Sequence, residues 1–190
     1  IAIIFTMVVG AAIFYILYSR RKRALLYDMA HVDDMTKLLN RRAYNEDLEK
    51  IDEKHPPKDL FYISMDLNGL KYINDHLGHE AGDEVICGAA DCMVEVLKTY
   101  GQIYRNGGDE YVAMLHVTPD QKEILKSRLN DRFNRWSGRI CPHLSISMAG
   151  IYAGNHPDMT LKEIVRESDR RMYEDKNRYY QNTGINRRKF

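Results

Sequence analysis

The chain of 190 residues is 44% hydrophobic and 29% charged, the proportions of a globular protein, and its length suits one domain plus an appendage. A formal net charge of +1 lacks the basic excess usual in nucleic-acid-binding proteins, so no nucleic-acid partner is expected. Cys87, Cys92 and Cys141 show no metal-ligand spacing and read as reduced core thiols. Residues 1–18, IAIIFTMVVGAAIFYILY, carry no charge. As a helix they would cover roughly 27 Å, slightly under the ~30 Å hydrocarbon layer. Arg20, Arg21, Lys22 and Arg23 follow directly. A signal peptide carries its charge before the apolar run, so the pattern predicts a transmembrane helix, with everything from Ser19 onward in the cytoplasm. A buried helix of a soluble domain is the alternative. No Met precedes this run, and the sequence reads as a fragment whose helix begins upstream.

Residues 19–35 read as a cytoplasmic linker or signalling helix, with Leu25, Leu26, Met29 and Val32 at helical spacing. A further helix is expected after Thr36 or Asn40 as cap, with Tyr44, Leu48 and Ile51 on one face, before the prolines of HPPKD turn the chain. LFYISM (60–65) is a continuous apolar run, the mark of a buried central strand. Val85, Ile86, Ala89, Ala90, Met93, Val94 and Leu97 predict a helix over 80–97. QIYR and YVAMLHV flank the stretch NGGDE and read as an antiparallel hairpin. Leu125, Leu129, Phe133 and Trp136 mark another helix, HLSISMAGIYA a strand, and Leu161, Ile164, Val165, Ser168 and Met172 a last helix. The order predicts an α+β fold, a ferredoxin-like sandwich with a mostly antiparallel central sheet. The domain is placed at 36–182 and a basic tail at 183–190.

The strand ending at Met65 delivers Asp66 to a strand tip, and the hairpin turn carries Asp109 and Glu110 after Gly107 and Gly108. A calcium loop fails on spacing, since Leu70 and Lys71 stand where that loop needs an oxygen ligand and a glycine. If the first strand pairs beside the hairpin, Asp66 and Asp109 meet. Carboxylates gathered without basic partners repel unless a cation sits among them, and an open set of hard oxygens suits Mg²⁺ shared with phosphates. The two glycines would permit positive φ and close approach of a ligand. From these residues alone, metal-dependent nucleotide chemistry and a structural turn both stand.

Four motifs carry a resemblance that goes further. RNGGDEY resembles the GGDEF signature of diguanylate cyclases, with Tyr111 for phenylalanine. DDMTKLLNRR is similar to that family's opening motif, with Met35 for leucine and Lys37 for a common glycine. DLNGLKYINDHLGHEAGD resembles its substrate segment and SDRRMYEDK its closing helix, so the likeness covers Asp33 to Lys176. It implies a nucleotide-cyclase-like fold and an enzyme that condenses two GTP into cyclic di-GMP, releasing pyrophosphate. Two GTP against one site per domain make a homodimer the expectation, with the predicted membrane helix and the stalk after it carrying a membrane-borne signal at the cell inner membrane. A catalytically silent GTP-binding or protein-binding module is the alternative. The cofactor implied is Mg²⁺, with Mn²⁺ as substitute, held by Asp66, Asp109 and the Leu67 carbonyl. Asp109 is the implied base, assisted by Glu110; Asn74, His79 and Asp83 line the substrate pocket; Lys71 and Lys176 take phosphates. An aspartate can accept both N1–H and the 2-amino group of guanine, which makes Asp83 the base selector. His79 has the alternative of bracing its loop, Asn74 of forming a turn, and Lys176 of being a solvated helix residue.

Two departures stand out. Tyr180 falls where the family often has a phosphate-binding arginine, with Arg178 as a nearby substitute. Lys98, Thr99, Tyr100 and Gly101 fill the window of an R-x-x-D product-binding motif, without its arginine fork or its carboxylate.

Overall fold

The computed structural model describes residues 2–184, and the side chains of all of these except 2–9, 11, 12, 24 and 25. The chain divides into two compact units, Ile1–Val32 and Asp33–Phe190. The first is a single helix, α1 (Ala2–His31), in which the two expected segments, 1–18 and 19–35, run on without a break as far as His31. Among the described residues no helix is long and apolar enough to cross a membrane. The expected transmembrane helix is therefore not supported, and most of its apolar side chains lie outside the described residues. From residue 185 the expected basic tail lies outside them too.

The second unit is built on a five-stranded sheet of order β1-β3-β4-β2-β5. Its strands are β1 (Leu39–Asn40), β2 (Leu60–Leu67), β3 (Gly101–Arg105), β4 (Glu110–His116) and β5 (Ile146–Tyr152). All eight residues of β2 are buried, as its apolar run predicts for a strand covered on both faces. Phe61, Ile63, Met65 and Leu67 join α4 (His79–Leu97) and α5 (Pro119–Asn134) in one core layer. Leu60 and Tyr62 join α2 (Arg41–Leu48) and α6 (Leu161–Thr183) in the other. Ser64 and Asp66 share the parity of Tyr62 and so point toward α6.

Two details correct the sequence expectation. The sheet is mixed, not mostly antiparallel in type throughout: β1 pairs β3 in parallel, Leu39 opposite Tyr104. The chain leaves Asn40 straight into α2, so β1 cannot return by a hairpin and finds a partner that arrives much later. The substrate-like segment holds a helix of its own, α3 (Leu70–Leu77), separated from α4 by Gly78 alone, whose φ of +87 suits glycine. Gly101 is where two strands approach closely. It opens β3, where a Cβ would lie 2.1 Å from the Met114 carbonyl oxygen.

The caps follow local chemistry. Asn40, not Thr36, caps α2, its Oδ1 accepting from Arg42 N at 2.9 Å and Ala43 N at 3.1 Å. Thr36 instead donates its hydroxyl to Asp33 at 2.7 Å. Capping boxes start α5 (Thr118, Gln121) and α6 (Thr160, Glu163). Cys92 and Cys141 are buried and Cys87 half-buried, all as free thiols.

Candidate active site

Pairing of β2 with β4 puts Asp66 opposite Glu110, and the Leu67 N–H donates to the Asp109 carbonyl at 2.9 Å. The strand tip and the glycine turn are thus tied at the point where the sequence expected two aspartates to meet. From α6, the Lys176 ammonium reaches between them. It bonds Asp66 Oδ1 and lies 3.8 Å from Asp109 Oδ2. The Lys176 and Asp66 side chains are each 8% exposed, against 40% for Asp109. The solvated reading of Lys176 is excluded by this burial. Burial pushes the Asp66 carboxyl up to about 6; Lys176 opposes the rise, and the negative charges of Asp109 and Glu110 add to it.

A cation standing among these carboxylates is a test of what the site accepts. The donors are hard oxygens, and the ammonium marks where positive charge is favoured, so the residues fit a divalent ion. Among the described residues no group of three or more His, Cys, Asp or Glu side chains is set to hold a metal. Asp66 and Asp109 would therefore need the Leu67 carbonyl and ligand oxygens to complete a shell. Glu110 is exposed and lines a groove of about 530 Å³ between α2 and α6, with Tyr44, Ser64 and Asp169.

The turn gets its shape from neighbours. Neither Gly107 nor Gly108 sits in the left-handed region, contrary to expectation. Their use is space: a Cβ on Gly108 would meet nothing, and one on Gly107 would meet Glu110 Oε2 at 3.1 Å. Arg105 anchors the turn, donating to the Gly108 carbonyl at 2.8 Å and to Asp33 Oδ1 at 3.0 Å. This link between the opening motif and the acidic turn was missed from sequence. Its signal was present, an arginine directly before NGGDE and an aspartate opening DDMT. Tyr111 buries its ring and donates its hydroxyl to the Ile86 carbonyl of α4 at 3.0 Å, so the oxygen added relative to phenylalanine is satisfied.

The remaining predicted residues gather around the α3–Gly78–α4 corner. Asn74, on α3, is half-buried, and its Oδ1 has no hydrogen-bond partner among the described residues. A Cβ on Gly82 would fall 1.9 Å from that oxygen, so glycine there makes room for it. His79 and Asp83 are exposed, one turn apart on α4, and Lys71 is exposed in the first turn of α3. Arg178 pairs with Asp175 at 2.8 Å and lines a separate groove beside β5, with Lys126 and Arg171.

Known proteins resemble this chain in sequence and in fold. A family model described as diguanylate cyclase, GGDEF domain, matches residues 30–182. A diguanylate cyclase of Vibrio cholerae is 31% identical over 157 residues, 81% of this chain and 49% of that protein. The probable diguanylate cyclase DgcI of Escherichia coli is 31% identical over 177 residues, 90% of this chain and 37% of that protein. The chain thus spans half or less of these relatives' length. Among solved structures, the coiled coil and GGDEF domain of DgcB from Caulobacter crescentus, in complex with c-di-GMP, matches 89% of this chain and 92% of its own. Its TM-score is 0.70 at 17% identity, a likeness of fold. Diguanylate cyclase SiaD from Pseudomonas aeruginosa, in complex with its activator SiaC, gives a TM-score of 0.69 at 21% identity, over 92% of this chain and 68% of its own. A buried aspartate on a central strand, an acidic hairpin turn laid against it and a family match over most of the chain have one common meaning: this chain belongs to the GGDEF family of diguanylate cyclases.

Proposed function

We propose that the domain condenses two GTP molecules into cyclic di-GMP and releases pyrophosphate. The observation that carries this reading is the convergence of Asp66 and Asp109 on one buried cation, Lys176, at the end of β2. GGDEF cyclases as a family depend on a divalent metal, and here Mg²⁺, or Mn²⁺ in its place, would be held by Asp66, Asp109 and the Leu67 carbonyl. Bound there it would neutralise phosphate charge and favour the leaving pyrophosphate. Asp109, the more exposed of the pair, is the base for the attacking 3′-hydroxyl, and Glu110 assists from the next position of the same turn. Lys71 and Lys176 offer ammonium charge to the phosphates. Asn74, His79 and Asp83 hold the base at the α3–α4 corner, with Asp83 accepting the guanine donors.

One domain presents one such set of residues, whereas the reaction joins two nucleotides. The proposal therefore includes a homodimer in which each copy brings one GTP. Attachment to the cell inner membrane, with the domain in the cytoplasm and activity under a membrane-borne signal, is a further proposal. It rests on the uncharged run before Arg20–Arg23, and membrane fractionation of the chain tests it.

Incubating the purified chain with GTP and Mg²⁺ and separating products by chromatography tests the main reading. Cyclic di-GMP is expected from the wild type. Asp66→Asn and Asp109→Asn should each lose at least about tenfold in turnover while keeping the native circular dichroism spectrum. GTP binding without product in the wild type would favour a silent regulatory module.

A further inference from the structure

Strand β5 ends the sheet, and among the described residues no strand pairs with its outer edge. Its two rows of backbone groups can be told apart. The Ser145 carbonyl accepts from Asn68 N at 2.8 Å on the β2 side, whereas Met148 N donates to Asp175 Oδ2 at 3.3 Å. Backbone groups of alternate residues point the same way along a strand, so Ser147 and Ala149 serve β2 while Met148 and Gly150 face outward. Asp175 covers the Met148 amide. The next outward amide, that of Gly150, has no partner among the described residues. Gly150 is also bare of a side chain for a reason, since a Cβ there would lie 2.4 Å from Phe61 Cε2.

This stretch of open edge runs along a trough walled by α5 and α6. Two grooves, of about 390 and 210 Å³, meet at Lys126, Gly150 and Arg171. Lys126 comes from α5 and Arg171 from α6, so a cation stands on each side of the bare amide. Five cations and three carboxylates line the two grooves, and the carboxylates are engaged. Glu123 pairs with Lys122 at 3.1 Å, Glu174 with Arg170, and Asp175 with Arg178. Lys126 is exposed and has no ion pair among the described residues. Arg171 gives its Nε–H to Glu167 at 2.7 Å and keeps the outer end of its fork. Cations beside an open edge turn away strands of positive charge and admit those of negative charge.

We propose that the β5 edge takes up an extended, acidic segment of a partner protein as an added strand. The backbone of that segment pairs with the Gly150 amide. Its side chains alternate between the two walls, which brings carboxylates to Lys126 on one side and Arg171 on the other. None of the residues assigned to GTP lines either groove, so the proposal stands apart from the cyclase reading.

Fluorescence anisotropy on the full chain tests it. The probe is a fluorescein-labelled octapeptide with four glutamates between pairs of valines. Its controls are the same peptide with lysines and the same peptide with N-methylated glutamates. The glutamate peptide is expected to bind and the lysine peptide not to. Methylation removes the N–H groups that a strand offers its neighbour and should weaken binding at least about tenfold. Lys126→Glu should weaken it by a similar factor and leave cyclase turnover unchanged. Hydrogen exchange of the Gly150 amide should slow when the glutamate peptide is bound. No binding of that peptide, or equal binding of the lysine peptide, overturns the proposal. Binding that methylation leaves untouched would reveal a patch for anions in general and overturns it too. Self-association of the wild type that Lys126→Glu abolishes in sedimentation velocity would name a second copy as the occupant, against the partner proposed. If Lys126→Glu does not fold, the methylated peptide and the Gly150 exchange rate still decide.

Discussion

Lys176 shows how one side chain can serve both stability and function. Its ammonium is the partner of a buried carboxylate, and removing one member of such a pair leaves the other charge uncompensated. Lys176→Met should therefore destabilise the domain by about 3–5 kcal/mol without metal. Divalent cation should recover part of that loss by taking the place of the ammonium. Thermal melts with and without Mg²⁺ check this, and the metal-induced rise in Tm should be larger in the variant than in the wild type. Asp83 makes a different kind of claim, about selectivity. Asp83→Ser removes the acceptor for the guanine donors, and the preference for GTP over ATP should shrink by about 1–3 kcal/mol. A competition assay with both nucleotides measures it, and unchanged discrimination would move base recognition to other residues.

Between elements, the governing contact is Arg105. It sits at the end of β3 and joins Asp33, in the turn before β1, to the Gly108 carbonyl in the acidic turn. A lysine has no planar fork with which to reach both at once. Arg105→Lys should cost about 1.5–3 kcal/mol in stability and lower turnover by loosening the turn that carries Asp109. Chemical denaturation alongside the cyclase assay separates the two effects. The same link sets a pH dependence. Burial pushes the Asp33 carboxyl up, but the Thr36 hydroxyl and N–H and the Arg105 guanidinium outweigh it and hold the group below its ordinary 3.8. A depressed carboxylate contributes stability that is present above the unfolded value and lost as pH falls through the folded one. The stability gap between wild type and Asp33→Asn should therefore be full at pH 6 and shrink as pH drops below 3.8.

At the scale of the whole molecule, the proposed reaction needs two copies. The specific activity of the purified chain should climb with protein concentration until the dimer saturates. Fusing residues 24–190 to a parallel leucine zipper should raise activity at low concentration, by raising the effective concentration of one loaded site near the other. Activity against dilution, read beside sedimentation velocity, checks this. A flat specific activity in a chain that sediments as a monomer would sink the two-copy scheme.

Much of the fold was legible in the residues because local pattern and final environment agree. The continuous run LFYISM is buried on both sides as a central strand, and the helical stripe from Val85 to Leu97 faces the core. Asp66 and Asp109 could be placed together because strand ends and hairpin turns fall at one edge of a sheet. The mixed sheet was not legible, since a two-residue strand carries no periodic signal and its parallel pairing with β3 is decided by the path of the chain. Nor was the short helix after Gly69, whose eight residues bury none of their side chains fully and touch the core only through the partly buried Leu70 and Ile73. What the amino-acid sequence determined by itself was the identity of the acidic turn and the strand that meets it, because glycine, carboxylate and apolar run are local properties. Only the tertiary structure decided that Lys176 is buried between the carboxylates, that Arg105 braces the turn and that the Gly69 N–H meets the Tyr180 hydroxyl. Those contacts join residues far apart in the chain, and which side chains meet across such distances is set by packing, not by any neighbour in sequence.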